Sequence, residues 1–253
     1  MASISHVQPA RIWQTLLVQV GANDGSPQND RLVHDYLRRN TTRALLIEGN
    51  PNVFELLKKN IGSIYHDREF RRLVPVNSVV CEEGNHVQFW IPAANFSSAF
   101  PEAPHWVKYQ LSSINRESIV SGLRLFLKRR GLSPEDAELY IEPLKVACSP
   151  LSSILLRNGV KDFRDVDVLA IDAEGYDAHI LMDTLEGSSE LTPRVIVFEQ
   201  KVAAGLYPEK LNAVLDLLSA RGYQFDCDKT NRSPLRYSCR HEDVTAKLNH
   251  GFR

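Results

Sequence analysis

Three apolar runs in this chain each end on a carboxylate, and an acid at a strand end can hold sugar hydroxyls or take a proton. The first is indirect: Leu16-Leu17-Val18-Gln19-Val20 breaks into Gly21-Ala22-Asn23-Asp24-Gly25, and about 20 residues further on Leu45-Leu46-Ile47 ends on Glu48. Turn glycines let backbone approach a ligand, and the acid after the second strand can accept hydrogen bonds from both ribose hydroxyls. Glu48 is assigned that role. The second run, Val166 to Ile171, is followed by Asp172-Ala173-Glu174-Gly175-Tyr176-Asp177. The third, Val195 to Phe198, ends on Glu199.

The glycine spacing bears on the cofactor. A dinucleotide fingerprint is G-x-G-x-x-G, which seats a pyrophosphate on a helix N-terminus. Here the spacing is G-x-x-x-G, with Asn23 and Asp24 filling the loop. A negative charge there repels pyrophosphate and can receive the cationic, zwitterionic end of S-adenosylmethionine. The reading is therefore against NAD and for a sulfonium cofactor, although Asn-Asp-Gly is also ordinary turn chemistry. Gln19, Gly21, Asn23, Asp24, Gly25, Glu48, Asn77 and Asp172 form the expected cofactor set.

Asp172 and Glu174 fall where an open α/β sheet binds ligands, beyond the carboxyl end of a strand. Asp172 is the first candidate for a general base, Glu199 the second, and Glu174 a positioning group. One of Glu174 and Asp177 is expected to cap the following helix. Asp172, Glu174, Asp177 and His179 also have metal-ligand chemistry, but carboxylates are common at helix starts and no second ligand cluster accompanies them. No metal is assigned, and His179 is read as a packing histidine.

These residues need elements to position them. Leu32, Val33, Tyr36 and Leu37 have helical spacing and supply a crossover. Val53, Phe54, Leu56, Leu57 and Ile61 make a second, stopped by Gly62. Leu73 to Cys81 reads as a third strand and His86 to Pro92 as an additional one. From Asn95 to Pro143 the pattern is irregular, with proline corners and a helix from Ile119 to Arg130 that ends in Lys128-Arg129-Arg130. That stretch is read as an insertion or lid that sets specificity, its basic end as cations favoured at a helix C-terminus. Alternation resumes with a strand Leu144 to Ala147, a helix Leu151 to Asn158, the Asp172 and Glu199 strands, and a helix through Leu211 to Leu218. Gly222 to Cys227 and Leu235 to Cys239 suggest a final strand pair around a turn at Asn231 to Pro234. The series implies one α/β domain over 1–253, with a doubly wound, mostly parallel sheet.

Composition agrees. At 253 residues and 43% hydrophobic content the chain can bury a full core. Thirty basic residues against 31 acidic ones make no global field, so nucleic acid is disfavoured as a partner. No run approaches the ~18 apolar residues of a membrane span, and no signal peptide is read at the N-terminus. The four cysteines form no C-x-x-C pair, which suits reduced thiols in the cytoplasm, with Cys81 and Cys148 as small core or pocket residues.

Taken together, VQVGANDG, IEGNP, VLAIDAEGYD and VIVFE, in that order, resemble the FkbM-type family of S-adenosylmethionine-dependent methyltransferases over about residues 16–225. The resemblance implies a seven-stranded, Rossmann-like class I fold, a cofactor pocket at the glycine turn and Glu48, and O-methylation of hydroxyls on sugars or secondary metabolites. Gln19 stands where many members carry an aspartate for the methionine ammonium; its amide oxygen still accepts a hydrogen bond. Gly49-Asn50 and Asp177 are further departures. The expected function is methyl transfer to a hydroxyl of a small-molecule acceptor. The alternative is a binding or scaffold module that keeps the fold without catalysis. No aromatic cage, basic groove or peptide motif selects the acceptor.

Overall fold

Leu17, Val18 and Val20 cannot be left in water, and their strand lies at the centre of the sheet. The computed structural model describes residues 15–26, 42–64, 72–161, 163–187, 192–229, 237–239 and 243–248. In chain order its elements begin with β1 (Thr15–Val20), β2 (Thr42–Glu48), α1 (Pro51–Ile64), β3 (Leu73–Asn77), β4 (Val79–Val80) and β5 (Asn85–Pro92). Next come α2 (Ala94–Ala99), α3 (His105–Tyr109), α4 (Arg116–Arg129), a 3-10 helix (Pro134–Leu139), β6 (Ile141–Ser149) and α5 (Leu151–Arg157). A short 3-10 turn precedes β7 (Val168–Ile171), α6 (Asp177–Gly187), β8 (Val195–Glu199), α7 (Lys201–Leu206) and α8 (Pro208–Ala220). The last strands are β9 (Tyr223–Gln224), β10 (Cys227–Lys229), β11 (Tyr237–Cys239) and β12 (Asp243–Leu248). The expected crossover helix at Leu32 to Leu37 and the turn at Asn231 to Pro234 lie outside the described residues.

Among these, seven strands form one sheet in the order β3-β2-β1-β7-β8-β12-β9. β3 through β8 run parallel, and β12 is antiparallel to both of its neighbours. The chain moves outward from β1 to β2 and β3, then returns to β7 on the other side of β1. A crevice therefore opens at the carboxyl ends of β1 and β7, where strand order reverses. Alternate residues feed two cores. Val18, Val20, Ile47, Leu169, Ile171 and Phe198 pack with α5, α6 and α8, while Leu17, Leu46, Val168 and Ala170 pack with Leu57 and Ile61 of α1.

The irregular middle is a hairpin-based excursion. β5 and β6 pair antiparallel from Asn85↔Cys148 to Pro92↔Ile141, and residues 94–139 lie between them around their own core of Phe96, Phe100, Ile119, Leu123 and Phe126. The basic end of α4 is tied down locally: Arg130 pairs with Glu102 at 3.2 Å, and Arg129 lies over the Phe126 ring.

Four expectations are corrected. Leu73 to Cys81 is two strands, because the Ser78 amide donates to the Glu48 carbonyl (3.1 Å) and β4 then turns away to pair with β6. The Leu144 to Ala147 strand belongs to β6, in a three-stranded sheet β4-β6-β5, outside the doubly wound series. The expected strand Gly222 to Cys227 is broken: Tyr223–Gln224 forms β9 at the edge of the main sheet, only Cys227 enters the separate β10-β11 ribbon, and β12, which was not foreseen, joins the main sheet between β8 and β9. Finally, the cysteines are not reduced thiols: Cys81 is bonded to Cys148 and Cys227 to Cys239, with Cα separations of 5.9 and 4.0 Å. Residues distant in sequence meet across strand pairs, which spacing alone does not reveal. No helix among the described residues is long and apolar enough to cross a membrane.

Candidate active site

Gly21 ends β1 at φ +75°, and a Cβ there would collide with the Asp172 carbonyl oxygen. Glycine is thus demanded both by the left-handed backbone and by the approach of the β7 loop. The amides of Gly21 and Ala22 both donate to the Ile47 carbonyl at 2.9 Å, which fastens the turn to β2. Asn23, also left-handed at φ +51°, donates its amide to Glu48 Oε2 (2.9 Å), and the Asn50 amide donates to Oε1 (2.7 Å). Burial pushes the Glu48 carboxyl up to about 7 against these two bonds, with the Asp172 charge adding to the rise.

The rest of the expected cofactor set divides. Asp24 Oδ1 accepts from the Ser26 amide (3.0 Å) and its carbonyl from Asn60 Nδ2 (2.8 Å), so it shapes the turn. Gly25, at φ +64°, faces Leu57 of α1. Asn77 Nδ2 donates to the Glu48 carbonyl at 2.8 Å. Gln19 is buried and alternates with Leu17, on the sheet face that packs against α1.

At the end of β7, Asp172 is exposed and Glu174 part-buried. Glu174 has φ +50°, uncommon for a residue with a side chain, and Gly175 follows at φ +90°. Asp177, fully buried, explains how this bend closes. Its Oδ2 accepts from the amides of Ala173 (3.3 Å) and Gly175 (3.2 Å), and its Oδ1 from that of Glu199 (3.2 Å). Asp177 therefore knots the ends of β7 and β8 together. Desolvation, then the charges of Asp172 and Glu199, raise its carboxyl well above the usual range. The same three causes push Glu174 up to about 8.

These loops line a cavity of about 60 Å³. Gly21, Asn23, Glu48, Asp172 and Glu174 line it; Gln19, Asp24, Gly25, Asn77 and Glu199 do not. Its other walls had no motif to mark them. Ser78 and Val79 come from the β3-β4 corner, Phe89 from β5, and Gln110, Ser112 and Ile114 from the segment between α3 and α4. Tyr176 also lines it and stacks on His179 at 4.5 Å, which meets Tyr207 edge-on at 4.4 Å. His179 thus packs between rings, and burial, with the charge of Lys210, lowers its pKa. Among the described residues, no three His, Cys, Asp or Glu side chains converge as a metal site.

Comparison with known proteins gives the lineage. Residues 19–225 match the Methyltransferase FkbM domain. No curated protein matches the chain. The crystal structure of methyltransferase FkbM from Methylobacillus flagellatus KT is 13% identical with a TM-score of 0.49; the match covers 92% of this chain and 43% of that one. This chain thus spans less than half the length of that protein. Precorrin-6y C5,15-methyltransferase from Geobacter metallireducens GS-15 is 13% identical at a TM-score of 0.37, covering 93% and 80% of the two chains. Aeropyrum pernix fibrillarin, solved with natively bound S-adenosyl-L-methionine, is 12% identical at 0.36, covering 92% and 66%. The domain match takes in the glycine turn, Glu48 and all of the acid loop, and by it the chain belongs to the FkbM methyltransferase domain family.

Proposed function

We propose that this chain transfers a methyl group from S-adenosylmethionine to a hydroxyl oxygen of a small molecule or sugar-containing metabolite. One observation carries the reading: a single cavity is lined by the glycine turn and Glu48 on one side and by Asp172 and Glu174 on the other. The residues present fit the cofactor. Gly21 and Asn23 offer close backbone, and Glu48 keeps lone pairs for ribose hydroxyls beyond its two amide bonds. Gln19, Asp24, Gly25 and Asn77 serve by shaping the strand end and turn around that subsite.

When bound, S-adenosylmethionine supplies an electrophilic methyl on a sulfonium that keeps the bonding pair when the carbon leaves. The chain must hold the acceptor oxygen in line and take its proton as the new carbon–oxygen bond forms. Asp172 is exposed at the cavity and receives that proton. Glu174, held protonated near neutrality, is a positioning group that donates a hydrogen bond into the cavity and bears on the cofactor as well as the acceptor. Glu199 acts through its charge on Glu174. Residues 95–143 act as a lid that bears on specificity, through Gln110 and Ser112.

Both disulfides favour an oxidising compartment over the cytoplasm. Calorimetry with S-adenosylmethionine tests the core of the proposal: a purified chain that binds none would refute it. With an acceptor identified by mass spectrometry of co-purified molecules, Asp172→Asn is expected to lower turnover more than cofactor affinity. The opposite pattern makes Asp172 a binding residue.

A further inference from the structure

The segment between α3 and α4 does more than wall the cavity; it grips the acid loop. Ser113 is almost fully buried, and its hydroxyl donates to the Glu174 carbonyl at 3.2 Å. Ser113 is itself fixed from two directions. Its backbone exchanges hydrogen bonds with Trp90 of β5 (2.8 and 3.0 Å), and its Oγ accepts from the Asn115 amide at 3.0 Å. Asn115 in turn donates from Nδ2 to the Tyr207 hydroxyl (2.6 Å) and accepts the Glu117 amide as the cap of α4. Beside Glu174, Gly175 lies so close to Ser118 of α4 that an added Cβ would come within 3.0 Å of Ser118 Oγ.

A left-handed glutamate is strained and persists only where its surroundings hold it. Asp177 holds the amides on either side of Glu174, but the carbonyl of Glu174 is held by Ser113. We propose that Ser113 is a positioning residue: through the Glu174 carbonyl it fixes the strained turn that keeps the Glu174 carboxyl in the cavity beside Asp172. The insertion thereby sets the geometry of an acid carried by the main sheet. The charged groups facing Glu174 are Asp172 and Glu199.

The proposal rests on the reading that the cavity binds S-adenosylmethionine, and its test is a double-mutant cycle read by calorimetry with that cofactor on the full chain. Ser113→Ala is expected to weaken binding about five-fold, the size of one lost hydrogen bond. In a Glu174→Gln background the same change should cost less than about two-fold, because the group being positioned is gone. Ser113→Thr, which keeps the hydroxyl, should restore affinity. A loss of equal size in both backgrounds overturns the proposal, since a merely structural serine behaves that way. Unchanged affinity in Glu174→Gln overturns it too, leaving nothing to position. Ser113→Cys, of similar volume with a weaker donor, runs the same cycle should the alanine variant not fold. A wild-type chain that binds no S-adenosylmethionine instead refutes the proposed function, so the two failures are distinct.

Discussion

Glu174 combines two costs in one residue, a left-handed backbone and a carboxyl crowded by Asp172 and Glu199. A residue kept at such expense is a candidate for function, and the trade can be measured. Glu174→Gly removes both costs, so unfolding by denaturant is expected to show a gain of about 1 kcal/mol, while S-adenosylmethionine affinity falls. A destabilised glycine variant would contradict the strain argument. The crowding also has a pH signature. Glu48 and Glu174 titrate near 7 and 8 in the folded chain against 4.5 unfolded. Between these values the folded state binds more protons than the unfolded state, so stability falls as pH rises. The contribution of the pair is fully present below 4.5 and gone above about 8. Thermal unfolding followed across that window should show the decline, and Glu174→Gln should flatten its upper part. An unaltered profile in that variant would assign the decline to other groups.

At the scale of elements, the sequence was most readable where burial on both faces forces a continuous apolar run. β1, β2, β7 and β8 are such strands, and the acids ending three of them could be picked out by position alone. Readability failed where the signal was shared. Val79 and Val80 continue the apolar pattern of β3, so nothing in their residue types reveals that Ser78 turns them into another sheet. β12 alternates exposed Asp243, Thr245 and Lys247 with buried Val244 and Ala246 too briefly to stand out, yet it pairs with β8 over five residues. The cavity residues Gln110, Ser112 and Ile114 belong to a stretch with no motif, because their role comes from where β5 and β6 deliver the chain. The glycine turn shows the same division. Gly21 and Asn23 reach the cavity, whereas Asp24 and Gly25 satisfy the turn itself and its packing on α1.

For the whole molecule, the decisive question is what joins the insertion to the sheet that carries the acids. Hydrogen bonds through Ser113 do so at the site, and Cys81–Cys148 does so covalently at the base, between the end of β4 and the end of β6. That bond spans a sequence separation of 67 and encloses β5, α2, α3 and α4, whereas Cys227–Cys239 spans 12 across the β10-β11 ribbon. Chain entropy makes the longer loop the more costly to release, about 4 kcal/mol against about 3. Cys81→Ala with Cys148→Ala should therefore lower the denaturant midpoint more than Cys227→Ala with Cys239→Ala. The contrast in binding should be sharper, because Val79 and Phe89 share a small core with Cys81 and also wall the cavity, while no described residue of the ribbon lines it. S-adenosylmethionine affinity should thus drop in the first pair and hold in the second. Alkylation and mass measurement of protein made without reductant must also find no free thiol. Four alkylated cysteines in a folded, cofactor-binding chain would mean that packing alone holds the insertion in place, and would remove the argument for an oxidising compartment.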